Sequence, residues 1–150
     1  MEKKSIYAKR IEKVQMSSIR IVMEKVEKLR NQGKSVVSLC AGEPDFNTPA
    51  GIKKATMDAL NDNQTHYSSN RGYAGLRQKV AQLLQEQTTI NYDSEQEIIM
   101  TCGCSEAINN TCQAFIDEGD EVIIFTPAFV SYQNTVLLCK GIPVEIPLKA

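Results

Sequence analysis

Apolar residues recur at intervals of three and four in the segment that precedes Gly33. Lysines, arginines and glutamates fill the positions between them, so one face of a helix would be apolar and the other charged. Gly33 suits the left-handed conformation in which many helices end. The pattern predicts an amphipathic helix here. Its apolar positions are Ile19, Val22, Met23, Val26 and Leu29.

The same periodicity predicts two further helices. Thr48 followed by Pro49 is typical of a helix start, with the threonine as cap and the proline in the first turn, and this helix should end near Asn61. The polar segment 61–75, NDNQTHYSSNRGYAG, predicts a loop, and such loops often carry function. The apolar stripes are Ile52, Ala55, Ala59 and Leu60 in the first helix and Leu76, Val80, Leu83 and Leu84 in the second.

The last third of the chain alternates short segments rich in isoleucine and valine with longer helical ones. This alternation predicts a β-α-β-α-β run and a largely parallel sheet covered by helices. The predicted strands are 97–101 (EIIMT), 120–125 (DEVIIF) and 143–147 (PVEIP), with an earlier one at 35–39 (SVVSL). On the first of the intervening helices the shared apolar face is Ala107, Ile108, Cys112, Phe115 and Ile116.

Composition narrows the classes of function. The charged fraction of 23% and the net charge of −1 give no electrostatic reason to expect binding to nucleic acid or to a membrane, so small molecules or proteins are the expected partners. No apolar run approaches the ~20 residues of a membrane span. The five cysteines suit reduced thiols and a cytoplasmic protein. Cys102 and Cys104 alone, with His66 distant, predict no metal site.

The turn 101–105, TCGCS, lies between a predicted strand and a predicted helix. There the first helix amides lack intrahelical partners, the helix dipole is positive, and Gly103 lets the backbone approach an anion, so a phosphate would suit the site. Tight strand-to-helix turns also need glycine for purely structural reasons. The turn is not a G-x-G-x-x-G dinucleotide motif.

Aromatic residues follow the 120–125 strand at the carboxyl edge of the predicted sheet, where open α/β sheets bind ligands. Phe129 could stack on a flat ring there, or it could belong to the core. Elsewhere, Glu43 and Asp45 flank Pro44 and are expected to fix their loop rather than to act as a hydrolytic carboxylate pair. His66 is expected to be a loop or interface histidine rather than a general base.

Several blocks, in order, resemble the front part of the class I pyridoxal-phosphate (PLP) aminotransferases of the aspartate and aromatic type. They are SLCAGEPDFNTP (38–49), HYSSNRGYAGLR (66–77), TCGCSEA (101–107) and DEVIIFTPAFVSY (120–132). The resemblance implies a three-layer α/β/α large domain of fold type I, incomplete in this chain and preceded by an N-terminal helical arm of the small domain. It would place the arm and the small-domain helix in residues 1–45 and the first part of the PLP-binding domain in residues 46–150.

The resemblance also implies residues that bind the cofactor. Gly103, Cys104 and Ser105 match the loop whose amides hold the PLP phosphate, and Phe129 matches the aromatic residue that stacks on the pyridine ring. Tyr67 matches the tyrosine that reaches the phosphate of the partner subunit in a homodimer. Cys104 departs from the commoner glycine, alanine or serine, but it keeps its backbone donor.

Two matches concern the substrate, which in this family is an amino acid paired with a 2-oxo acid. Gly42 matches the glycine whose amide helps to hold the substrate carboxylate. Ile19 corresponds to the mobile segment that closes over the substrate, and Pro44 would stiffen the exit from the loop.

The family's catalytic lysine, which holds PLP as a Schiff base, has no counterpart in these 150 residues. We therefore expect an amino-terminal part of an aminotransferase that folds poorly and is inactive by itself, because its strands would lack their neighbours. Two alternatives stay open: a PLP-dependent carbon–sulfur β-lyase of the same fold, and a non-catalytic ligand-sensing domain built on it. The latter would need an attached DNA-binding module.

Overall fold

The computed structural model describes residues 6–14 and 16–149, which form two compact units. The first unit combines the described residues of 6–42 with 103–149, and the second is Glu43–Cys102. The domain boundary predicted at residue 45 concerns a complete enzyme and stays a prediction. The elements are a short 3₁₀ helix Lys9–Lys13, α1 (Ser18–Asn31), α2 (Ala50–Asn61), α3 (Ala74–Thr88), α4 (Cys104–Phe115), β1 (Glu121–Thr126), α5 (Val130–Leu138) and β2 (Ile142–Pro147).

The amphipathic helix predicted before Gly33 is confirmed as α1. Gly33 has a φ of 75°, and its amide donates to the carbonyl of Arg30 at 2.9 Å. The amide of Lys34 reaches the carbonyl of Leu29 at 3.2 Å. These bonds satisfy carbonyls that the end of a helix leaves without partners, which is why the helix stops here. None of the described helices is both long enough and apolar enough to cross a membrane.

The core of the first unit is a β-α-β unit. β1 and β2 pair in parallel, with Glu121 opposite Ile142 and Thr126 opposite Pro147, and α5 contacts both strands. Val136 of α5 is only 2% exposed. A Cβ built on Gly141 would lie 2.9 Å from Ile116 Cγ2 and 3.0 Å from Val136 Cγ1, so glycine permits this close approach. The predicted strands 120–125 and 143–147 and the parallel pairing are confirmed.

Burial alternates along β1 because successive side chains point to opposite faces. Ile124 is buried, whereas Ile123 and Phe125 are 60% and 59% exposed. The sequence predicts a sheet covered by helices; within the described residues the sheet has two strands, and the face that carries Ile123 and Phe125 is exposed. On α4, Phe115 is exposed although it was assigned to the same apolar face as Cys112.

The second unit contains α2, the loop 62–73 and α3, and it confirms both predicted helices and the loop between them. The start of α2 differs by one position from the prediction. Pro49 occupies the N-cap position with no side-chain cap bond, and the helix begins at Ala50 rather than at Pro49. The helix still ends at Asn61, as its apolar periodicity predicts.

Two predicted strands, 35–39 and 97–101, are wrong, because neither segment forms a ladder in the described part of the chain. A strand needs a neighbour to share its backbone hydrogen bonds, and the described residues supply none for either segment. The amide of Met100 instead donates to the carbonyl of Arg71 at 3.0 Å, so this segment packs on the loop before α3.

Candidate active site

Gly103 forms the turn that leads into α4. It has φ 89° and ψ 172°, a combination that is essentially restricted to glycine, and it occupies the N-cap position of a 12-residue helix. A Cβ built there would meet nothing within 4 Å, so glycine is required by the backbone conformation and not by crowding. The structure places Gly103, Cys104 and Ser105 together at an exposed helix start, as the sequence predicts.

The chemistry of this turn suits an anion. The first amides of a helix have no intrahelical acceptors, and the helix dipole adds positive potential at this end. Glu106 lies in the same first turn and brings a negative charge close to it. The start of α4 therefore suits an anion, with Glu106 as an acidic residue in the same turn.

Phe129 follows β1 and occupies the N-cap position of α5. Its side chain is 54% exposed, so it is not the core residue that was one alternative for this position. Its ring meets that of Tyr132 edge to face, with centroids 6.0 Å apart and planes inclined by 75°. This contact orients the ring at the carboxyl end of β1 and leaves area for a flat ligand to stack on it.

Phe129 and Ile19 line the same cavity, which has a volume of about 700 Å³. Most of the lining comes from α1, which contributes both basic and acidic side chains beside its apolar residues, namely Arg20, Arg30, Glu24 and Glu27, and Ser38 also lines the cavity. The structure therefore brings together one residue assigned to the cofactor and one assigned to the substrate. Gly42 and Gly103–Ser105 are not among the residues that line this cavity.

Gly42 ends the amino-terminal segment of the first unit and lies in an exposed stretch without regular structure. A Cβ there would meet nothing within 4 Å, and its φ is not positive. The backbone is accessible, but the conformation does not itself require glycine. The predicted contact of the Gly42 amide with a substrate carboxylate stays a prediction.

Tyr67 belongs to the second unit and is fully exposed on the loop 62–73. Its neighbour His66 contacts the carbonyl of Asn63 through Nδ1 at 3.1 Å, a local contact that fits the expected loop role of this histidine. Because the Tyr67 side chain is not packed against its own unit, its ring and hydroxyl are accessible to another surface. The assigned reach of Tyr67 to a partner subunit stays a prediction.

Arg77 is a residue of this region whose role the sequence analysis did not identify. It is only 3% exposed, and its guanidinium bonds to Gly72, Ser94 and Glu95. The helical spacing contains a signal for its burial, because Arg77 falls on the face of α3 that carries the shielded residues Val80, Ala81 and Leu84. Leu76 and Leu83, by contrast, are exposed members of the predicted stripe.

The cysteines give little support to metal chemistry. Cys102 and Cys104 are exposed, and no group of three or more metal-ligating side chains occurs among residues 6–14 and 16–149. Partial burial raises the pKa of the Cys112 thiol, and the neighbouring Cys139 raises it further. Cys112 is therefore a protonated, weakly nucleophilic thiol at neutral pH.

Known proteins similar to this chain agree on its family. The sequence profile of the class I and II aminotransferases matches residues 34–150. The chain is 45% identical over 114 residues to an aspartate aminotransferase of Pyrococcus abyssi, covering 76% of this chain and 29% of that protein. It is 38% identical over 133 residues to a probable N-acetyl-LL-diaminopimelate aminotransferase of Bacillus subtilis, covering 89% of this chain and 33% of that protein.

The solved structures agree with the sequence comparison. The chain superposes on the aspartate aminotransferase of Thermus thermophilus, solved with maleate, with a TM-score of 0.89 and 35% identity. This superposition covers 96% of the chain and 37% of that structure, so the chain spans about a third of the length of the proteins it matches. Its described α/β architecture is thus part of fold type I. The chain belongs to the class I and II aminotransferases.

Proposed function

We propose that the protein of which this chain forms part is a PLP-dependent aminotransferase that moves an amino group between an amino acid and a 2-oxo acid. The observation that carries the proposal is the Gly103 turn, whose glycine-only backbone presents the first amides of α4 at an exposed site. The proposal also draws on the family membership and on the exposed ring of Phe129.

The described residues fit the cofactor that the family implies. The amides of the Gly103–Ser105 turn would hold its phosphate, and the ring of Phe129, which is exposed, would stack on its pyridine ring. When bound, PLP acts as the electron sink that withdraws charge from the carbon bearing the substrate amino group. The chain's own part in the chemistry is to orient the cofactor and to exclude water from one face of its ring.

The remaining assigned residues act on the substrate and on the partner subunit. The Gly42 amide holds the substrate carboxylate, and Ile19 helps to exclude water from the cavity that it shares with Phe129. Tyr67 would donate a hydrogen bond from its hydroxyl to the cofactor phosphate of a second copy, in a homodimer that we place in the cytoplasm. The similar proteins include an aspartate aminotransferase and a probable N-acetyl-LL-diaminopimelate aminotransferase, so the proposed substrates are amino acids and 2-oxo acids as a class.

The test is an activity assay of the full-length protein, stripped of cofactor and then titrated with PLP. We expect glutamate to form from 2-oxoglutarate and an amino-acid donor only after PLP is added. Ammonia and pyruvate in place of glutamate would indicate a β-lyase. PLP binding without turnover of any donor would favour the ligand-sensing alternative, and either result would contradict the proposal.

The 150-residue chain by itself is expected to form no specific covalent complex with PLP. None of its lysines lies in the S-x-S-K-like context of the family's catalytic lysine, so no absorbance band near ~420 nm should develop. The measurement is a titration with stoichiometric PLP, followed by borohydride reduction and mass spectrometry. A single lysine modified in most of the molecules would contradict this expectation.

A further inference from the structure

Arg77 occupies an unusual position for a charged residue in the second unit. It lies in the first turn of α3, and its side chain is only 4% exposed. Its Nε donates to the carbonyl of Ser94 at 2.8 Å, and its Nη2 donates to Glu95 Oε2 at the same distance. Its Nη1 donates to the carbonyl of Gly72. One guanidinium therefore joins α3 to the loop before it and to the turn at 94–95.

The guanidinium is suited to this junction in a way that an ammonium group is not. Its planar fork presents donors in fixed directions, so the three acceptors are satisfied together. A lysine at this position would offer one compact charge. A buried charge is tolerated only where it is paired and hydrogen-bonded, and Glu95 supplies the pairing for Arg77.

Arg77 bonds to the loop 62–73 at Gly72, and other contacts fix the loop at the same position. The amide of Met100 donates to the carbonyl of Arg71 at 3.0 Å, and Arg71 Nη1 donates to the carbonyl of Glu95. A Cβ on Gly72 would lie 2.7 Å from Met100 Cβ, so the two segments are in direct backbone contact. The loop is therefore fixed at Arg71 and Gly72, immediately before α3.

Two further hydrogen bonds join Arg71 and Gly72 to Ser69, which follows Tyr67 closely in the sequence. The amide of Gly72 donates to the carbonyl of Ser69 at 2.8 Å, and the amide of Arg71 donates to Ser69 Oγ at 3.2 Å. These bonds form a tight turn whose first residue stands two positions after Tyr67. The Tyr67 side chain is fully exposed, so no packing contact within its own unit fixes its direction.

We propose that Arg77 is a positioning residue for Tyr67. By joining the carbonyl of Gly72 to the turn at Ser94 and Glu95, it fixes the turn at 69–72 so that the Tyr67 hydroxyl projects toward the cofactor phosphate of a second copy. This inference rests on the proposed function, because it needs the assigned role of Tyr67. Arg77 acts through the loop and contacts neither cofactor nor substrate.

The test is a double-mutant cycle on the full-length protein, with the dissociation constant of PLP as the readout. We expect Arg77→Lys and Tyr67→Phe each to weaken PLP binding about tenfold, the size of one lost hydrogen bond to a charged group. The double variant should bind no more weakly than Tyr67→Phe alone, because the loop has no effect once the hydroxyl is gone. Lys79→Arg, on the exposed side of α3, is the matched control and should leave binding unchanged.

Circular dichroism and sedimentation are measured on every variant to separate misfolding from a positioning effect. If Arg77→Lys fails to fold, Glu95→Gln replaces it in the same cycle, because that change weakens the pairing of Arg77 while keeping its shape. The positioning role alone would be overturned if the two changes weakened PLP binding independently, so that their effects multiplied in the double variant. It would also be overturned if the folded variant used in the cycle, Arg77→Lys or Glu95→Gln, bound PLP as tightly as the unaltered protein. Failure of the unaltered protein to bind PLP would overturn this role together with the proposed function.

Discussion

Replacing Gly72 with alanine is expected to lower the free energy of unfolding of the full-length protein by about 2–4 kcal/mol. Gly72 has a φ of 89°, a conformation that L residues rarely adopt. The added Cβ would also lie 2.7 Å from Met100 Cβ and 2.8 Å from Met100 Cγ. The first of these atoms adjoins the backbone, so relieving the overlap requires the loop and the segment around Met100 to separate.

Urea unfolding of the variant measures this effect, and two other glycines serve as matched controls. Gly33 has a φ of 75° with nothing within 4 Å of a Cβ, so Gly33→Ala should show the backbone strain alone, about 1 kcal/mol. Gly75 is the second residue of α3 and lies in open space, so Gly75→Ala should stabilise the helix by at most about 0.5 kcal/mol. Equal losses for Gly72→Ala and Gly33→Ala would show that the contact with Met100 is unimportant.

Replacing Gly103 with alanine is expected to weaken PLP binding by the full-length protein about 10- to 100-fold, as one or two charge-assisted hydrogen bonds to the phosphate are lost. Alanine disfavours φ 89° and ψ 172°, and nothing within 4 Å of its Cβ would hold it there. The turn should therefore relax rather than keep its strain. Relaxation reorients the peptide between Gly103 and Cys104 and moves the amides away from the phosphate.

Cys104→Ala is the matched control for this prediction. Cys104 is the first residue of α4 and would act through its backbone amide, so loss of its thiol should change PLP affinity by less than about twofold. The dissociation constant is measured by fluorescence titration of the cofactor-free protein. Unchanged affinity in Gly103→Ala would remove the turn from the phosphate site.

The sequence predicted the helices and the β1–α5–β2 unit because their signals are local. Helical spacing of apolar residues gave α1 with its glycine stop, and short runs of isoleucine and valine gave β1 and β2. The segments 35–39 and 97–101 carry the same kind of signal but form no ladder in the described chain. A strand depends on a partner, which composition within the segment cannot reveal.

In the candidate site, too, the features with a local signal could be predicted from the sequence and those with distant partners could not. The turn at Gly103 could be placed because the strand-to-helix pattern and the glycine lie side by side. The burial of Arg77 could not be derived from the pattern alone, because its acceptors at Ser94 and Glu95 stand 17 and 18 residues away in the sequence. Its position on the shielded face of α3 was the available signal, and a charged residue there requires distant partners that only the fold identifies.

We propose above that this chain forms part of an enzyme that transfers amino groups. The most direct measurement follows ¹⁵N from a labelled amino-acid donor in the presence of the full-length protein, PLP and an unlabelled 2-oxo acid. We expect the label to appear in the newly formed amino acid, in equal amount to the 2-oxo acid released from the donor. Release of the label as ammonia, or its retention in the donor, would contradict the proposed transfer of amino groups.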